Sequence, residues 1–262
     1  MDWRQNFIIV IASFSSLSFV LALLVPHIMV AVEQPLTRLS QPQLQSIASS
    51  ITVKILGGDF LGSGILVGKQ GQFYTVVTNA HVLRAGIAPY QIQTDDGRLH
   101  VALPVEKLNL VSPYSTSLQE ADLALLQFHA DIDYPLALIA STSKLNIGNN
   151  VYAAGFPRDM EGNQQQKFVL KSGKVSLVLN KALEGGYQIA YTNDIQKGMS
   201  GGPVLNHSGE VVAVNGMHAE PLWGNPYVYQ DGTEPELFVQ KQMQQYSWGI
   251  PLENYLKLRK EK

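Results

Sequence analysis

No cysteine occurs in the 262 residues of this chain, which removes a disulfide framework, a thiol nucleophile and a Cys-ligated zinc. The absence does not point to a compartment, because a protein without thiols is indifferent to redox conditions. Charge is also sparse, with Asp, Glu, Lys and Arg at 15% and a formal net charge of −2. No long run of Lys or Arg appears, so the electrostatic footprint of a nucleic-acid binder is missing. Heptads, βαβ alternation and long internal repeats are lacking too, which argues against coiled coils, nucleotide-binding α/β folds and solenoids. Nor is there a His-Glu-x-x-His spacing, and no metal site is expected.

Charge is missing altogether from Phe7 to Val25, FIIVIASFSSLSFVLALLV. At about 1.5 Å rise per residue this run is long enough to cross a bilayer as a helix. Residues 1–31 are therefore expected to be a signal peptide or a membrane anchor. The run exceeds a usual signal core and Met29-Val30-Ala31 matches a small-x-small cleavage site poorly, which leaves both readings open. Residues 32–46, rich in Gln, Pro and Ser, read as a linker.

What is present from Ile47 onward is a succession of short apolar or alternating runs: Ser50–Leu56, Gly64–Val67, Phe73–Thr78 and Leu123–Phe128. β-branched and aromatic residues dominate several of them. Gly58-Asp59, Asp95-Asp96-Gly97 and His207-Ser208-Gly209 fall between runs as turn signals. The expectation is an all-β unit, barrel or sandwich, split by the strand-poor stretch 130–149 into two halves at about 47–134 and 145–250. Apolar residues three and four apart in Pro251–Arg259, with cations in the last turn, predict a closing helix over about 251–260.

Acyl transfer by a serine needs a hydroxyl, an imidazole to take its proton, a carboxylate to fix the imidazole tautomer, and donors for an oxyanion. Ser200 lies in the glycine-rich KGMSGGPVLN. His81, in TNAHVL, stands where a β-prone run ends. Asp122, in ADLALLQF, stands at the mouth of an apolar strand, where a carboxylate needs a hydrogen-bond partner. His100, His129, His207 and His218 have no such setting.

TNAHVL, ADLALLQF and KGMSGGPVLN, in that order, resemble the triad blocks of the trypsin-like, chymotrypsin-fold serine peptidases. With GSGILV at Gly62–Val67 and no cysteine, the chain looks most like their bacterial HtrA-like branch, here without a PDZ module. The resemblance spans about Ile47 to Tyr255. It implies two six-stranded antiparallel β-barrels within a peptidase domain at 47–262, with the site in the cleft between the barrels. It also implies Ser200 as nucleophile, His81 as general base and Asp122 as orienting carboxylate, with the Gly198 and Ser200 N–H groups as oxyanion hole and no cofactor. Digestive members carry an aspartate just before the serine, which pairs with a freed N-terminus. Met199 stands there in this chain, so that activation switch is not expected.

Specificity is less constrained. An ungapped count places Asp194 at the base of the primary pocket, favouring Lys or Arg, whereas alignment on HtrA-like loops makes it an ordinary loop residue. The strand containing Val214, Asn215 and Gly216 resembles the one that pairs with substrate main chain. Glutamyl-specific relatives carry a histidine where this chain has Asn215, and a slip of two or three residues would bring His218 there. The expected function is an exported or membrane-anchored serine endopeptidase, periplasmic or extracellular, acting on protein or peptide. A silent peptidase-like scaffold at a membrane and a small-substrate esterase are the rivals, since an intact triad is necessary for catalysis and not sufficient.

Overall fold

The computed structural model describes residues 38–105, 121–158, 166–218, 226–253 and 255. The expected signal or anchor segment lies outside them. Among the described residues no helix is long and apolar enough to cross a membrane.

The first element corrects the linker expectation. Helix α1 runs over Gln41–Ile51, with Pro42 in its first turn. Gln43 Oε1 accepts from the Ser40 N–H at 2.9 Å and from its hydroxyl at 2.8 Å, which ties off the helix entry. Leu44, Ala48 and Ile51 recur at helical spacing and are buried. Ser40, Gln41, Pro42, Gln43, Gln45 and Ser46, part of the composition that suggested a linker, occupy the cap and the solvent face.

Strands β1 (Thr52–Gly57), β2 (Asp59–Gln70), β3 (Phe73–Thr78), β4 (Tyr90–Gln93), β5 (Leu99–Pro104) and β6 (Ala124–His129) close an antiparallel barrel in the order β1-β2-β3-β6-β5-β4. Strands β7 (Asn150–Gly155), β8 (Val169–Val178), β9 (Ile189–Tyr191), β10 (Pro203–Leu205), β11 (Val211–Met217) and β12 (Ser247–Pro251) close a second, in the order β10-β11-β12-β9-β8-β7. Two short helices, α2 (Ala80–Arg84) and α3 (Leu237–Met243), and 3-10 turns at Thr142–Lys144 and Glu184–Gly186 accompany the strands. The all-β double barrel is the expected architecture. The stretch between β6 and β7 holds only a single 3-10 turn at Thr142–Lys144 and an isolated bridge from Ile139 to Val211.

Three apolar clusters explain why several strands read as unbroken hydrophobic runs. On β3, Tyr74 and Val76 point into the first barrel together with Leu126 and Phe128. Val77 points the other way, into a cluster shared with Ile65, Leu125, Leu205, Val214 and Trp248. Successive side chains on a strand face opposite sides, and here both sides are buried. A third cluster, with Val151, Tyr191 and Val204, fills the second barrel. The shared cluster joins the barrels at a fixed mutual position. At the chain's end Pro251 closes β12 and helical residues follow at Glu253 and Tyr255; most of the span expected to form the closing helix lies outside the described residues.

Candidate active site

β3 ends at Thr78, Asn79 adopts an extended conformation and α2 begins at Ala80, so the imidazole of His81 is carried on a first helical turn. That turn presents unsatisfied N–H groups, and Asp122 answers them. The Asp122 carbonyl accepts from the Ala80 N–H at 3.2 Å and from Asn79 Nδ2 at 2.9 Å. Its Oδ1 accepts from the His81 N–H at 2.9 Å, while Oδ2 lies 2.5 Å from His81 Nδ1. Asp122 is itself pinned, its N–H donating to the Gly185 carbonyl at 2.8 Å. With Nδ1–H committed to the carboxylate, Nε2 is the nitrogen left with a free lone pair.

Ser200 sits on the tight turn between β9 and β10. Ser63, on β2 of the first barrel, holds that turn: its N–H donates to the Ser200 carbonyl at 2.9 Å and its hydroxyl to the Gly198 carbonyl at 2.8 Å. The Ser63 hydroxyl also accepts from the Phe156 N–H at 3.0 Å. The Met199 carbonyl accepts from the Gly202 N–H and from Asn215 Nδ2, both at 3.1 Å. Three successive carbonyls are thus turned inward onto donors. Among the described residues the N–H groups of Gly198 and Ser200 donate to no protein acceptor. Gly198 has φ +96°, which a side chain would strain. Gly201 is required by contact, since a Cβ there would stand 2.1 Å from the Ser63 carbonyl oxygen.

His81, from the first barrel, and Gly198, Ser200 and Gly216, from the second, line one cavity of about 230 Å³. Leu61, Val82 and Met217 supply apolar wall, and Arg158, Lys197 and His218 bring positive or titratable nitrogens. No carboxylate among the described residues lines it. The Ser200 hydroxyl donates to the Gly216 carbonyl at 3.3 Å and not to the imidazole.

The sequence-based specificity residues separate. Asp194 is turned to solvent, its side chain 74% exposed and 3.4 Å from Lys171 Nζ, so it is not the floor of a pocket. The cause is alternation along an extended segment: Asn193 and Ile195 are buried and Thr192, Asp194 and Gln196 are exposed. Val214 is buried and paired with Pro203 and Ile250. Asn215 is also buried, accepting from the Tyr191 hydroxyl at 2.5 Å, so neither reaches the cavity wall, whereas Gly216 does. Two polar participants escaped the sequence reading. Ser63 lies in GSGILV, which carries the family resemblance but assigns the residue no role, and Tyr187, whose hydroxyl donates to Asp122 Oδ2 at 2.7 Å, lies in GGYQIAY and carries no motif. Among the described residues no group of three or more His, Asp or Glu is placed to hold a metal ion.

Paired barrels with an imidazole–carboxylate couple from one and a serine-bearing turn from the other place the chain in the class of β double barrels with a site between the barrels. Residues 62–214 match the trypsin-like peptidase domain, and the chain belongs to that family. It is 32% identical over 157 residues to a probable periplasmic serine endoprotease DegP-like of Marinomonas sp. (strain MWYL1), a match covering 59% of this chain and 29% of that protein. It is 29% identical over 159 residues to serine protease Do-like HtrA of Bacillus subtilis (strain 168), covering 60% and 33%. Serine protease HTRA4 of Mus musculus is 27% identical over 164 residues, covering 59% and 29%. The match thus spans about a third or less of these relatives' length.

Proposed function

We propose that the protein is a serine endopeptidase in which Ser200 attacks the scissile carbonyl, His81 Nε2 takes the hydroxyl proton, and Asp122 fixes the Nδ1–H tautomer. The observation that carries this reading is the shared cavity lined by His81, Gly198 and Ser200, beside the two N–H groups of that turn that donate to no acceptor among the described residues. In the proposed cycle the Ser200 hydroxyl leaves the Gly216 carbonyl for Nε2 as acceptor; hydrogen bonds at such sites are commonly loose before substrate binds. The tetrahedral oxyanion is received by the Gly198 and Ser200 N–H groups. Nε2–H then gives its proton to the departing amine, leaving an acyl-Ser200 ester that water hydrolyses with the proton steps repeated.

An extended peptide is the substrate that fits. β11 continues past the point where Pro203 pairs with Val214, so Gly216 and Met217 run beyond the end of β10 beside the cavity. Substrate main chain adds there as a strand. Export is part of the proposal, supported by the uncharged Phe7–Val25 run and by relatives named periplasmic. Reaction with a fluorophosphonate probe tests the chemistry: labelling at Ser200, abolished in Ser200→Ala, together with casein cleavage supports the endopeptidase. Labelling with ester turnover alone indicates an esterase, and no labelling of the folded chain indicates a scaffold.

A further inference from the structure

The hydroxyl of Tyr187 donates to Asp122 Oδ2 at 2.7 Å, the same oxygen that stands 2.5 Å from His81 Nδ1. Oδ1 is otherwise engaged, accepting the His81 N–H at 2.9 Å and facing an Arg84 guanidinium nitrogen at 3.6 Å. Oδ2 is therefore the oxygen whose charge the imidazole ring meets at closest range, and the phenol draws on that charge. Its position is enforced. Tyr187 is buried in the cluster between the barrels, a Cβ at Gly216 would stand 2.6 Å from its hydroxyl, and a Cβ at Gly185 would stand 3.0 Å from its ring. Small residues at both places let the phenol reach the carboxylate.

We propose that Tyr187 is a positioning residue that sets the protonation range of His81 through Asp122. The proposal rests on the reading of His81 as general base. The phenol O–H fixes Oδ2 and takes up part of its charge. The imidazolium is then stabilised less than it would be by a bare carboxylate, and free imidazole persists to lower pH. Burial first, and the Asp122 charge next, push the Tyr187 phenol well above its usual range, so it remains a donor at any working pH. The other groups facing the couple are Arg84 from α2 and Tyr191 behind Tyr187, with Arg158, Lys197 and His218 across the cavity. Arg84 faces Oδ1 and the Tyr191 hydroxyl is given to Asn215, so neither takes over at Oδ2 when the phenol O–H is lost. Because His81 and Asp122 belong to the first barrel and Tyr187 to the second, the strength of the base depends on how the barrels are seated.

The test is Tyr187→Phe, with the His81 ring followed by NMR titration and the pH profile of kcat/KM measured alongside. The titration midpoint and the acid limb should both move to higher pH by roughly half a unit to one unit. kcat should fall about tenfold while KM stays within about twofold. Replacing Tyr187 by 3-fluorotyrosine, a more acidic phenol and stronger donor, should move the midpoint the opposite way. A folded Tyr187→Phe variant with an unmoved midpoint overturns the proposal. If that variant fails to fold, the fluorotyrosine protein decides, because it keeps ring and hydroxyl; an unmoved midpoint there is equally fatal. The NMR titration needs no turnover, so a shifted midpoint in a protein that hydrolyses nothing sinks the peptidase reading and leaves the Tyr187 coupling standing.

Discussion

The Ser63 hydroxyl lies 2.8 Å from the Gly198 carbonyl, a contact between residues 135 positions apart that fastens the first barrel to the turn carrying Ser200. The same oxygen accepts the Phe156 N–H, so one buried hydroxyl satisfies a donor and an acceptor of the second barrel. Ser63→Ala leaves both unpaired, at about 1–3 kcal/mol for each buried group. With two such groups, denaturant unfolding should show a loss of about 2–6 kcal/mol. With the turn freed to rotate its amides, kcat should fall about ten- to a hundredfold, and a variant with unchanged kcat would show that the turn holds itself.

Asp122 serves both the backbone and the ring of His81. Asp122→Asn keeps the shape but presents a donor that favours the wrong imidazole tautomer, and kcat should drop by about three to four orders of magnitude. Stopped assays of the variant beside the parent check the loss, and an unchanged rate removes Asp122 as the carboxylate that fixes the tautomer.

Asp194 faces solvent beside Lys171, and the cavity wall carries Arg158 and Lys197 instead. Asp194→Asn should leave relative turnover of Arg, Leu, Ala and Glu peptides unchanged. Peptides with acidic side chains flanking the scissile bond should be favoured. Lys197→Glu should cut that preference about five- to tenfold, with the gap narrowing as salt is raised.

Burial raises the Tyr187 and Tyr191 phenols well above their usual range, and Tyr227 to about 12. A phenol held neutral by the fold contributes stability that is whole below the ordinary tyrosine range of about 10. That stability is lost as pH rises from there through the folded-state value, because the unfolded chain gives up the proton first. Phenolate absorbance should therefore rise in two stages, exposed tyrosines first and the buried ones together with cooperative alkaline unfolding. Tyr191→Phe should remove one phenol from the second stage.

Much of this was legible along the chain. The runs Phe73–Thr78 and Leu123–Phe128 fell on β3 and β6 to within a residue, the interval from 130 to 149 separated the barrels, and Ser200, His81 and Asp122 stood in recognisable local settings. Each of those signals is short-range: strand alternation, a glycine-rich turn, a polar residue at a strand mouth. Helix α1 was missed because its Gln, Pro and Ser occupy the cap and the solvent face, and only Leu44, Ala48 and Ile51 record its burial. Asp194 was misplaced because counting back from Ser200 gives distance along the chain and not direction; alternation with Asn193 and Ile195 decides the direction.

By itself the sequence determined the strand periodicity, the absence of thiol and cysteine-zinc chemistry, and the residue types available for acyl transfer, since these follow from local stereochemistry and composition. Which oxygen of Asp122 meets His81, that Tyr187 shares it, and that Ser63 holds the Ser200 turn were decided only when the barrels packed together. Those contacts join residues 41 to 135 positions apart, and their geometry is set by the apolar cluster between the barrels, which no single segment encodes.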